Sequence, residues 1–392
     1  KGNKITLLAN AVGENIEKTG ITGSALQTLI NLMPAYGTII IPKGINLSAS
    51  STVTVNKPLN IEAYGASLTS THSSTNVLVL QSDDINLYGL KVNGNNGANE
   101  NTIQVKAGYK NISMRFIQTS GALNGVSSEN RTENVRIKQS VLKGNIQGII
   151  GRLPKSWVIE KCIIKDHDVS GGNGIKIQGQ EKTVEAVTVS DDYVQVTAHG
   201  FVEGDKVRFY GTGTLPTGLV KDTSYYVLGN GLTSDKFKVG LPDGTLKSGS
   251  VSVQNLTPID ITGTDLTGTT NITVVVVAQD ITIKDNKLQN NRAGIWLKES
   301  DNSFVSGNKV DDGTTIQIEN SWNNLITKNI VRNAIDLGIN LHKNSSYNIV
   351  KGNQALNCMN SGIGITIDVL VGIANNNHNV ISGNIVKGSK PI

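Results

Sequence analysis

The sequence predicts an all-β fold: a right-handed, single-stranded parallel β-helix with an N-terminal capping helix and an inserted small β-rich domain. Three observations predict it. An apolar residue followed three positions later by asparagine returns along the second half, in Ile283–Asn286, Val305–Asn308, Ile326–Asn329, Val350–Asn353 and Ile381–Asn384, with the asparagines 22, 21, 24 and 31 residues apart. Between these runs lies a second alternating strand, in Ile295-Trp296-Leu297, Ile316-Gln317-Ile318, Ile339-Asn340-Leu341 and Ile365-Thr366-Ile367. Glycine is abundant (42), proline scarce (8) and isoleucine, valine, asparagine and threonine recur, a mixture that suits many short strands joined by tight turns. A period of 21 to 24 residues fits one coil of two or three strands and their turns.

The elements follow in order. Thr22 to Met33 reads as an amphipathic helix, with Thr22 as N-cap and Leu26, Leu29, Ile30 and Met33 on one face. A solenoid needs such a lid, because its open end exposes unpaired strand edges. The strand Gly37–Ile41 follows and ends at Pro42-Lys43-Gly44. Earlier rungs are visible at Ile112–Met114, Val135–Ile137, Trp157–Ile159 and Ile175–Ile177, so residues 1–182 form the cap and first rungs. From 183 to 278 the rung pattern disappears. Tyr193–Val196, Lys206–Tyr210, Tyr225–Leu228, Lys236–Val239 and Thr273–Val277 are strand-like, separated by Gly/Thr/Asp turns. This reads as a small inserted sandwich or barrel, serving either as a packing knob or as a second carbohydrate-binding surface. The rungs resume at Ile281, and 279–392 form the C-terminal rungs. The chain opens at Lys1 and only eight residues follow Asn384, so the expectation is a segment of a longer protein or an end covered by something else.

Charge narrows the class of partner. The net charge is +5, but residues 183–278 hold ten acidic and six basic side chains, leaving thirty basic and twenty-one acidic elsewhere. A basic body attracts an acidic polymer. Nucleic acid is the rival, yet Lys/Arg runs and an aromatic stacking series are missing. No run approaches 18 apolar residues, so no spanning helix is expected. Cys162 and Cys358 stand far apart without His/Cys spacing and read as buried free thiols. No nucleophile, phosphate-loop or zinc motif stands out, and neither metal nor cofactor is expected.

Alternation then assigns the faces. If the paired apolar residues of each second strand point inward, Trp296, Gln317, Asn340 and Thr366 form one outward column. Lys298, Glu319, His342 and Asp368 form the next, with Gln178 as an earlier member. Glu319 and Asp368 would stand two rungs apart, roughly 9.6 Å between backbones, near the separation used by inverting glycosidases. Both are expected to face solvent, with Lys298 favouring ionised Glu319. One carboxylate would hold a water and the other, protonated, would donate to the leaving oxygen, with His342 between them. In a lyase His342 or Lys298 would instead take the proton α to a uronate carboxylate. Trp296, Lys298, Gln317 and Asn340 would bind sugar, the tryptophan by its flat face. The plainer readings are a charged ladder kept for solubility and a tryptophan packed under the insertion or a neighbouring subunit. Asp166-His167-Asp168 reads mainly as a polar turn, Glu299–Asn302 as a turn cap, and His199 as a turn residue.

With the repeat established, the chain resembles the tailspike depolymerases of bacteriophages, within the wider pectate-lyase-like β-helix superfamily. The residues that carry the resemblance are Ser24–Gln27 through Gly37–Gly44, the Gly-Asn rungs from Asn286 to Asn384, and His199–Val207, which is similar to segments of phage structural proteins. The resemblance implies a virion-tail homotrimer that digests a bacterial surface polysaccharide, capsule or O-antigen. It supplies no catalytic residue, since neither a pectate-lyase calcium and arginine signature nor the polygalacturonase Asn-Thr-Asp or Gly-His-Gly motif is present. Two alternatives stay open: a non-catalytic glycan-binding adhesin of the same fold, and a secreted, monomeric polysaccharide lyase or epimerase.

Overall fold

The computed structural model describes residues 4–6, 22–73, 76–167, 172–242, 256–268, 270–311, 315–366 and 378–389. Short strands of three to six residues stack in parallel into three long sheets of 12, 11 and 10 strands among the described residues. Each coil contributes one strand to each sheet, which makes the chain a right-handed parallel β-helix. Inward residues stack by type along the axis. In the third sheet Val126, Ile149, Ile175, Ile295, Ile316 and Ile339 are successive partners and all fully buried.

The column's next member is Ile363, where the sequence pattern had Ile365. That register differs by two residues from the one read along the chain. The slip changes the backbone partners, so that Leu341 stands opposite Ile365 and His342 opposite Thr366.

The helix Gly23–Leu32 packs over the first strands of the second and third sheets, burying Leu26, Ile30 and the following Met33 against the core. Thr22 sits at its N-cap but makes no capping hydrogen bond to the backbone; its hydroxyl pairs with Ser24 Oγ instead.

Buried polar ladders hold the turns. Asn286 Nδ2 donates to Asn308 Oδ1 at 3.0 Å, and the pattern repeats from Asn308 to Asn329, Asn329 to Asn353 and Asn353 to Asn384. Each acceptor oxygen also takes the backbone N–H of the asparagine one rung before it. Cys162 N–H closes the ladder on Asn286 Oδ1. A second ladder, not read from the repeat, runs from Ser303 through Asn324 and Asn348 to Asn379. The adjoining turn needs a left-handed residue in every coil; at Gly307 (φ +68°) an added Cβ would also lie 2.3 Å from Asp285 Oδ1. Cys162 and Cys358 are free and buried, and burial pushes the Cys162 thiol up to about 12.

Between Gln178 and Ala278 the chain leaves the solenoid and builds an antiparallel sheet, of eight strands among the described residues, with its own core of Val207, Phe209, Tyr225, Phe237, Val239 and Val274. The solenoid closes over this departure without a gap, because Ile175 pairs directly with Ile295 and Lys176 with Trp296. Asp301 anchors the sheet to the helix. Fully buried, it accepts from Lys206 Nζ (2.7 Å), Arg208 Nη1 (2.9 Å) and the Trp322 backbone N–H (3.0 Å). The Arg208 guanidinium lies 4.3 Å from the Trp322 ring centroid and also donates to Asn320 O. Burial opposes the Asp301 charge, but Arg208 and Lys206 outweigh it and hold the carboxyl below its ordinary value.

Candidate functional site

The third sheet sets two outward columns in register. One runs Lys176, Trp296, Gln317, Asn340, Gly364; the other runs Arg152, Gln178, Lys298, Glu319, His342. Six of the seven residues singled out from the sequence therefore lie together on one face. The exception is Asp368, which lies outside the described residues; the register sets the Thr366 backbone, not residue 368, opposite His342.

Glu319 departs from its expected exposure. Its side chain is buried, with 5% of its surface accessible, inside a polar cluster drawn from three rungs. Oε2 accepts from Trp296 Nε1 and Gln317 Nε2, each at 3.1 Å, and Oε1 from Lys343 Nζ at 2.7 Å. His342 Nδ1 stands 3.9 Å from Oε2 and 3.4 Å from Gln317 Nε2. Burial alone would raise this carboxyl, but His342 and Lys343 overcome it and bring it down to about 2. Glu319 is thus a fixed anion that orients its neighbours. The sequence reading expected Lys298 to stabilise it; that part falls to Lys343, which turns back from the residue after His342 in a left-handed conformation (φ +50°).

Lys298 points elsewhere. Its ammonium lies 3.1 Å from Glu181 Oε2, on the first strand of the insertion, and 3.0 Å from Glu299 Oε1. Burial opposes the Lys298 charge, and the two glutamates more than restore it, so its pKa is raised. The two carboxyls move apart. Burial and the neighbouring Glu181 raise Glu299, while Glu299, Tyr210 and Lys298 lower Glu181 against its own burial. The two carboxyls crowd around a single ammonium, and burial with mutual repulsion favours the protonated form of one of them. The backbone N–H of Glu299 donates to Glu319 O at 2.9 Å, which places Glu299 one rung from the fixed anion.

Trp296 is half-buried, and its ring is partly engaged: Lys176 Nζ lies 4.5 Å from the centroid. Asn340 is buried, while Gln317 is half-buried and bound to Glu319. Asp166 is bound by Asn290 Nδ2 and lies beside Lys165. His167 is buried, with Nδ1 on Asn145 O, and its burial lowers its pKa to about 4. Asp168 lies outside the described residues. His199 packs against Phe201 and Phe237 in the insertion core. Glu181 and Lys343 carry no signal in the sequence, and Glu299 and Asp301 read there as turn caps, because their partners lie in other rungs or in the insertion. Among the described residues no cluster of side chains is suited to a metal, and no helix is long and apolar enough to cross a membrane.

Comparison with known proteins supports the architecture. The family model described as "Right handed beta helix region" matches residues 251–390. No curated protein sequence matches the chain. Among solved structures, the ORF18 protein of Geobacillus virus E2 superposes with a TM-score of 0.55 at 11% identity, over 93% of this chain and 58% of that one. The chain thus spans little more than half of the phage protein's length. The mannuronan C-5 epimerase A-module of Azotobacter vinelandii gives 0.52 at 12% identity, over 94% and 93% of the two chains. A polygalacturonase from Erwinia carotovora ssp. carotovora gives 0.52 at 9% identity, over 100% and 96%. At these identities the likeness is one of fold, and the fold is the right-handed parallel β-helix.

Proposed function

We propose that this chain binds and cleaves an acidic bacterial surface polysaccharide laid along the outward columns of the third sheet, by glycoside hydrolysis. The observation that carries the reading is the pair of carboxyls in neighbouring rungs whose environments push them apart: Glu299, raised and protonated, and Glu319, lowered and ionised. Arg152 and Lys176 lie on the same columns and suit an acidic chain. Glu299 gives its proton to the glycosidic oxygen as the bond to the anomeric carbon breaks. Glu319 stabilises the positive charge that develops there. Water adds to that carbon and passes a proton to His342, whose ring Gln317 and Glu319 orient, and solvent restores the proton of Glu299.

A second reading is β-elimination at a uronate, favoured by His342 standing beside the Lys343 ammonium. Incubation with capsular polysaccharide or lipopolysaccharide separates the two. Hydrolysis releases reducing ends with no new ultraviolet absorbance, and elimination adds the absorbance of an unsaturated uronate. Glu299→Gln is expected to lower the rate on the order of 10²–10⁴-fold while leaving the fold intact. Undiminished turnover in that variant removes Glu299 from the chemistry, and binding of the glycan without any product makes the chain an adhesin. The tailspike form of the proposal, a homotrimer on a virion tail, rests on the sequence resemblance and is tested by light scattering; a stable monomer favours a secreted enzyme.

A further inference from the structure

Where the insertion leaves the solenoid, a cavity of about 330 Å³ opens between them, lined by Asn130, Gln180, Glu181, Lys298 and Glu299 among others. Its floor is close-built. Gly179 marks the departure, and a Cβ there would meet Val276 O at 2.4 Å and Glu299 Cβ at 2.7 Å. Two buried acceptors on this cavity lack the hydrogen bonds their burial demands. Gln180 donates its Nε2 to His199 O at 3.0 Å, which fixes the amide and leaves Oε1 without a donor. Glu299 is 1% exposed, and its Oε1 accepts no aligned hydrogen bond although Lys298 Nζ lies 3.0 Å away.

We infer that this junction cavity is a subsite for one neutral, hydroxyl-rich sugar residue of the polysaccharide, completed only when insertion and solenoid come together. The inference rests on the polysaccharide reading above and adds the chemistry of the sugar. Unsatisfied acceptors call for a ligand that donates, and sugar hydroxyls donate without bringing charge. An anionic sugar gains nothing here, since the one lysine is already shared by two glutamates. A second cation is disfavoured beside that lysine. The volume lies at the small end of ligand pockets, suited to a single ring. The outward columns would then hold the acidic part of the chain, while the junction selects a neutral residue within the repeat.

Saturation-transfer NMR on the whole chain tests this with three probes: methyl hexopyranosides, methyl glucuronide and methyl glucosaminide. The expected result is binding of a neutral hexoside, weakened at least fivefold in Gln180→Ala and in Asn130→Ala and unchanged in Tyr64→Ala, an exposed aromatic of the N-terminal rungs, with circular dichroism reporting the fold of each variant. Absence of hexoside binding to the natural sequence, tighter binding of the uronide or the glucosaminide, or hexoside binding unaffected by both Gln180→Ala and Asn130→Ala in folded protein would overturn the subsite. Hexoside binding that depends on Gln180 in a protein that cleaves no glycan upholds the subsite and sinks the hydrolase reading instead.

Discussion

The asparagine ladder and the Asp301 anchor both satisfy polar groups inside the molecule, and they do so by opposite means. In the ladder each partner is a copy of the same residue one coil away, so every amide gives and receives as its neighbours do. At the anchor the partners are unique and distant in sequence: a carboxylate from the solenoid meets Lys206 and Arg208 from the insertion. The ladder spreads its stabilisation over many neutral bonds of about 1 kcal/mol each. The anchor concentrates it on three charges that tolerate burial only together.

The contrast predicts a graded response to mutation. Asp301→Ala strands two buried cations, and the expected loss is about 3–5 kcal/mol, seen as a lowered denaturant midpoint with loss of the insertion's tertiary signal. A loss under 1 kcal/mol would show that water replaces the carboxylate and that the anchor is not a closed site. Glu319 lies between the two types, charged but within the rungs. Its folded pKa of about 2 is below its ordinary 4.5, so the unfolded chain takes up the proton first and stability falls as pH drops from about 4.5 to about 2. Urea titrations across that window are expected to fall by up to about 3 kcal/mol in the natural sequence. They should fall less steeply in Glu319→Gln; equal slopes would deny the carboxylate its partners. Asn329→Ala removes one link of the ladder and leaves the flanking groups unpaired, for an expected loss of about 1–3 kcal/mol. Because neighbouring coils repeat the same bonds, Asn308→Ala should cost a similar amount, and a large inequality would break the picture of equivalent rungs.

Much of this could be read along the chain, for a physical reason that also marks its limit. A repeat places partners at fixed spacing, so Asn286 to Asn384 announced their stacking, and Ile295, Ile316 and Ile339 their shared column. The same logic brought Trp296, Lys298, Gln317, Glu319, Asn340 and His342 onto one face. Exposure was misjudged at Glu319, because the reading treated an outward residue as a solvated one. Lys343, Trp296 and Gln317 close over that carboxylate, and pair geometry of this kind has no signature in the sequence.

The sequence by itself determined the coil length, the parity of each strand and the Asn286–Asn384 ladder, since period-two alternation and a near-constant repeat are local properties. Only the tertiary structure decided which residues pair across the irregular C-terminal spacing, where the backbone of Ile363 rather than Ile365 stands opposite Ile339. It alone also decided that Glu181, Lys298 and Glu299 meet. Their encounter depends on how the insertion's sheet docks beside the rungs, with Lys206 and Arg208 fixed on Asp301. That docking is set by single long-range ion pairs, which no local period encodes.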